Sequence, residues 1–174
     1  MKPDINTVGG LMPARGYDGQ SSRITEEIID SRVNSGVSVI APGQVAGLDP
    51  ANPKCCRLPV AGDLLLGIVH RDPITYHADS SGNVGFAQYQ SVPFVRLGFV
   101  NATPIEEVTA GDGVVAIFDG SSKAYLGLGT IRGGVSATRV FMRGNRWETS
   151  TAANASEPGE VSVLGTGGVD YVTY

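Results

Sequence analysis

Apolar residues along this chain fall in short runs rich in Val, Ile, Leu and aromatics, each closed by Gly, Pro, Asp, Asn or Ser. Runs of that kind mark half-buried or fully buried β-strands, because branched and aromatic side chains suit a pleated, packed surface. The two clearest are VAGDLLLGIVHRDP at 60–73 and TAGDGVVAIFDGS at 109–121, where an Ala-Gly-Asp turn opens an apolar run. Further strands are expected at VSVIA (37–41), QVAGL (44–48), CRLPV (56–60), VGFAQY (84–89) and PFVRLGFV (93–100). The second half continues with KAYLGLGTI (123–131), VSATRVFMR (135–143), RWET and the terminal VSVLGTGGVDYVTY. Turn chemistry separates them at Pro42-Gly43, Asp49-Pro50, Asp79 to Asn83, Asp119-Gly120 and Gly133-Gly134. The stretch TSTAANASEPGE at 149–160 reads as a surface loop. RITEEIIDSRV fits a helix by the spacing of Ile24, Ile28, Ile29 and Val33 and a strand by its branched residues, and both stay open. Many short strands between turns imply an all-β fold, a compact β-barrel or jelly-roll-like sandwich.

Residues 1–23 show no sustained period and read as an extended N-terminal arm, leaving 24–174 as a single β-rich domain. Apolar anchors punctuate the arm. Leu11, Met12, Tyr17 and Ile24 are the expected partner-binding residues, together with strand edges open to an added strand.

Composition narrows the function. The chain has 174 residues with 24 Gly and 10 Pro, and it is 41% apolar, so turns are frequent and a core is affordable in size. A net charge of -4 argues against a nucleic-acid partner, which needs a clustered surplus of Lys and Arg. Arg132, Arg139, Arg143 and Arg146 form a local basic cluster, read as solvated strand faces because no aromatic platform accompanies it. No apolar run reaches the roughly 20 residues of a membrane span, and MKPDINTVGG lacks the apolar core of a signal peptide. Cys55 and Cys56, the two cysteines, are adjacent, a spacing that strains a disulfide and matches no zinc pattern, so reduced thiols are expected.

Candidate chemistry is thin. His70-Arg71-Asp72 imitates a kinase catalytic loop but lacks the downstream Asn and the glycine-rich loop. His70, Asp72, His77 and Asp79 match no metal-ligand spacing, and Asp79 to Asn83 lacks the alternating oxygens and terminal Glu of a calcium loop. Gly127-x-Gly129 is followed by Arg132 where a dinucleotide fingerprint requires a third Gly. Asp63 and Asp112, an imaginable acid pair, sit where an Asp side chain closes its own turn. No catalytic residue, cofactor site or metal site is therefore assigned.

The order IIDSRVNSGVSVIAPGQVAG, CRLPVAGDLLLGIVHRD, SVPFVRLGFVNA and VTAGDGVVAI resembles the structural cement, or head decoration, proteins of tailed bacteriophages. Pro42-Gly43, Leu58-Pro59, Leu66-Gly67-Ile68 and Ala110-Gly111-Asp112 carry the likeness, which spans about residues 28 to 118. The resemblance implies a non-enzymatic β-barrel that binds the outside of the mature head in many copies, bridging and stabilising major capsid protein subunits. It further implies a homodimer or homotrimer in the virion, assembled in the host cytoplasm; the net charge and the lack of a long apolar run add the expectation of no nucleic-acid or membrane partner. A different expectation, a virion-associated glycan-binding or tail adhesin module, requires an exposed aromatic platform, for which Trp147 is the main candidate.

Overall fold

The computed structural model describes residues 17–23, 26–71, 77–78 and 84–163, with the side chains at 77–78 excepted. Eleven strands run through these residues: β1 (Ile28–Asn34), β2 (Val45–Leu48), β3 (Cys55–Arg57), β4 (Leu65–Val69), β5 (His77–Ala78) and β6 (Val84–Gly85), then β7 (Ser91–Ala102), β8 (Gly113–Phe118), β9 (Tyr125–Thr130), β10 (Arg139–Trp147) and β11 (Gly159–Val163). The helical content among them is one 3-10 turn at Ile131–Gly133. The fold is all-β with a closed barrel, as the patterning predicts.

Closure follows from the pairing. β1, β3, β2, β4 and β7 are neighbours in that order, and β7 pairs back onto β1, so five strands form a ring. β1 and β3 are parallel; the other pairs are antiparallel. The second half of β7 leaves the ring and pairs with β11, beyond which lie β10, β8 and β9. A bridge from Pro104 to Leu128 ties the far edge of that sheet back to the residues just after β7. One twelve-residue strand is therefore shared by both halves of the molecule.

The side-chain alternation of β7 explains how. Val92 and Phe94 face a core with Ile40, Ala46, Cys56, Val69 and Phe86. Val95 faces the opposite way, into a larger core with Val45, Leu65, Ile68, Val114, Leu128, Met142 and Trp147. Past Gly98 the parity inverts, so that Val100 and Ala102 face the larger core instead. Gly98 takes φ of 135°, a backbone setting that L side chains rarely adopt, which lets the strand change faces there. Trp147, fully buried, donates its indole N–H to the Gly129 carbonyl at 2.9 Å, satisfying the one polar atom it brings into that core.

Several sequence expectations change in detail. The ambiguous RITEEIIDSRV segment contributes a strand, β1, whose Asp30, Ser31 and Arg32 pair with Phe94, Pro93 and Val92. VSVIA is not a strand: it contributes a single bridge, Ile40 to Phe86, and Val37 is 87% exposed. VGFAQY pairs only at its start, and a turn occupies its end. The 149–160 loop is tied at Thr151, which exchanges backbone hydrogen bonds of 2.9 and 3.0 Å with Val108. The hairpin tip at Asp79 to Asn83 and the residues after Val163 lie outside the described residues.

Candidate functional site

Of the four expected anchors, Leu11, Met12 and Ile24 lie outside the described residues, and Tyr17 lies within them. Tyr17 is 54% exposed and Arg71 stacks its guanidinium over the ring, 4.7 Å from the centroid. From Tyr17 the chain runs beside the second half of β7 as an irregular added strand. Gly19 donates to the Asn101 carbonyl (2.7 Å), Asn101 to Gln20 (2.9 Å) and Ser22 to Phe99 (3.1 Å). Side chains reinforce this lacing. Thr103 donates to both carboxylate oxygens of Asp18 (2.9 and 3.1 Å), Ser21 bonds Glu27 and His70, and Arg23 forks onto Glu160 while covering the Phe99 ring. Burial pushes the Asp18 carboxyl above its ordinary value despite the Thr103 bonds and nearby Arg71. The end of the predicted arm is thus built into the body.

Of the residues suspected of chemistry, Asp72, Asp79 and the side chain of His77 lie outside the described residues, and the described ones have structural employment. Asp63 accepts the Val60 N–H at 2.9 Å and Asp112 accepts the Thr109 N–H at 3.1 Å, so each closes its Ala-Gly-Asp turn as the sequence implied. An arginine holds each one: Arg57 on Asp63 and Arg132 on Asp112, the latter at 2.8 Å. Burial drives the Cys56 thiol up to about 12, which leaves it protonated and unreactive at neutral pH. Among the described residues no group of three or more His, Cys, Asp or Glu is arranged to hold a metal. No described helix is long and apolar enough to cross a membrane.

One end of the barrel offers a surface that sequence reasoning missed. Asn34, fully buried, donates to the Ser38 and Phe86 carbonyls (both 3.0 Å) and accepts from Gly36 N–H (2.9 Å). It thereby welds the loop after β1 to the chain at β6. Across the same seam Tyr89 donates its N–H to the Asn34 carbonyl (2.7 Å) and Gln88 donates to the Ser35 carbonyl (3.0 Å). The two loops display Val37, 87% exposed, and Tyr89, 78% exposed. Tyr89 holds φ of 68°, a left-handed setting that costs a non-glycine residue on the order of 1 kcal/mol or more. A large aromatic held outward on a strained, cross-braced turn is a ready contact for another protein. Gly36 and the glutamines flanking Tyr89 were the available sequence signals, but their strand-like neighbours obscured them.

The comparisons with known proteins bear on this arrangement. A family model described as structural cement protein (E217 gp24/Pam3 gp6) matches residues 5–164. The chain belongs to that family. Among solved structures, a chain from the capsid of Myoviridae phage XM1 shares the fold with a TM-score of 0.60, at 17% identity, covering 84% of this chain and 89% of that one. No curated protein sequence matches. As a phage cement protein the chain is a structural component of the virion that interacts with capsid proteins, which fits a molecule whose polar clusters brace loops. Trp147, the aromatic a glycan-binding module would have presented, is fully buried in this cement protein.

Proposed function

We propose that this cement protein attaches in many copies to the outside of the mature head and bridges neighbouring major capsid protein subunits, acting as a homodimer or homotrimer and without catalysis. The family match over residues 5–164 is the observation that carries the reading. In it, residues 1–23 act as an arm, with Leu11, Met12, Tyr17 and Ile24 as anchors, and 24–174 act as the body. Bridging requires two separated grips. The exposed Tyr17 beside the arm root and the Val37 and Tyr89 loops at the barrel end are candidate contacts, and the arm itself can supply the second grip. A binder selective for the expanded lattice stabilises it by its difference in affinity for the two states, and many weak copies add.

Shells prepared with and without the protein test the reading. The decorated shells are expected to rupture at higher temperature; equal rupture temperatures at saturating protein would overturn it. Removal of residues 1–16, which spares the strand laced to β7, is expected to weaken attachment while leaving the melting temperature of the free protein unchanged. Undiminished attachment would take the arm out of the mechanism.

A further inference from the structure

The outer face of β1 and the loops at the barrel end form one surface. Asp30 and Arg32 lie opposite Phe94 and Val92, whose side chains enter the smaller core, and opposed residues of an antiparallel pair share a face. Ile29, Ser31 and Val33 therefore project the other way, along the face that Val95 turns to the larger core but beyond that core's reach. Ile29 is 44% exposed and Val33 40%. At the end of β1, Val33 stands opposite Ser91, and the Asn34 carbonyl takes the Tyr89 N–H, which carries the surface on to Tyr89 and the Val37 loop. Both loops belong to unbroken described stretches, 26–71 and 84–163. The Ile40 to Phe86 bridge is antiparallel and sets Gly85 against Ala41, so the β5–β6 ladder departs on the side away from Val37.

The chemistry of this surface specifies its occupant. From Val33 to Leu48 and again from Val84 to Val95 the chain has no Asp, Glu, Lys, Arg or His, although 17% of its residues are charged. Charges appear only around it. Asp49 takes the Ser35 hydroxyl at 2.6 Å, Asp30 is bridged to Arg96 at 3.5 Å, and Lys54 stands beside Cys55. A symmetric contact sets each residue near its axis against its own counterpart, so a charge placed there repels, and a net charge of -4 already opposes the approach of two copies. An apolar, uncharged face is where such copies can meet. To a charged partner it offers neither steering nor an ion pair. We propose that the outer face of β1 and the barrel end, centred on Val37 and Tyr89, bind a second copy of this chain. The inference rests on the cement reading and gives its oligomer a contact, so that each copy contributes one arm and the pair or trio bridges the shell.

Sedimentation of the full-length protein over a range of concentrations tests this. Wild type is expected to associate, and to hold together equally well or better as sulfate is added, because apolar contacts strengthen where ion pairs are screened. Tyr89→Gly relieves the left-handed setting, so at concentrations where both are monomeric it should melt no lower than wild type, while its association weakens by about tenfold or more. Val37→Asp is expected to weaken association similarly, and Leu126→Asp, at an exposed position of β9, to leave it unchanged. Wild type that sediments as a monomer at every concentration would overturn the proposal, as would Tyr89→Gly and Val37→Asp proteins that associate like wild type. Binding to purified shells is read separately. An associated wild type that leaves shells bare would remove the cement reading and keep the self-contact, whereas a monomeric wild type that decorates them would keep the cement reading and hand this face to the capsid.

Discussion

Asn34 is the residue on which the barrel end depends. Its amide is fully buried and serves two carbonyls and one N–H from two segments, the loop after β1 and the chain at Phe86. Asn34→Leu strands those groups, each worth about 1–3 kcal/mol when orphaned, so a loss on the order of 3 kcal/mol is expected in urea unfolding. Acid works on other residues. The Ser35 hydroxyl holds Asp49 below the usual carboxylate range, and the Ser121 hydroxyl does the same for Asp119. Burial pushes Glu106 up, but the Arg139 guanidinium and the Thr130 N–H outweigh it and leave it lowered. A lowered carboxylate contributes stability that is complete above its unfolded value and is lost as pH falls through its folded one. Asp18, raised by burial, runs the other way and gains as pH falls. The lowered group is larger, so unfolding free energy is expected to decline below about pH 4, while Asp18→Asn removes the gain that Asp18 makes as pH falls from its raised folded value toward about 4. At this scale the sequence was readable where an interaction is local. Asp63 and Asp112 close turns three residues back, as their Ala-Gly-Asp settings implied. Tyr89 and Val37 were unreadable, because their exposure depends on two loops meeting across 50 residues of chain, roughly the separation of Asn34 from Phe86.

Among the elements, β4 and β7 approach so closely at Gly67 that a Cβ there would stand 2.4 Å from the Val95 carbonyl. Backbone cannot yield as a side chain tip can. Gly67→Ala is expected to cost upwards of about 2 kcal/mol or to abolish soluble expression, whereas Gly120→Ala, with nothing within 4 Å, should stay within about 0.5 kcal/mol of wild type in the same thermal melts. Of the strands that the apolar runs marked best, β4 feeds both cores and β8 the larger one. VSVIA failed for a physical reason: branched residues give strand propensity, but Asn34 diverts the chain into a loop after β1, and only Ile40 reaches the core. RITEEIIDSRV could not be decided from its own residues because its ladder partners, on β7 and β3, lie far along the chain.

For the whole molecule the decisive feature is that β7 belongs to both halves. Loss of either core exposes one face of the strand on which the other is built, so the two should unfold together. Trp147 reports the larger core and Cys56 the smaller. In a Cys55→Ser background, indole fluorescence and thiol labelling of Cys56 should trace one coincident urea transition; separated midpoints would show two independent units. The all-β class was legible from turn spacing alone, and barrel closure was not, since β1 returning to β7 leaves no local trace in either segment. That shared strand also sets how the molecule bears tension. Along its first half β7 is flanked by β1 and β4, and along its second by β11 and the Gly19 to Ser22 segment. A pull along its axis is resisted by many ladder bonds sheared at once instead of unzipped singly. A swelling shell that tugs on this protein's two ends would meet its stiffest line.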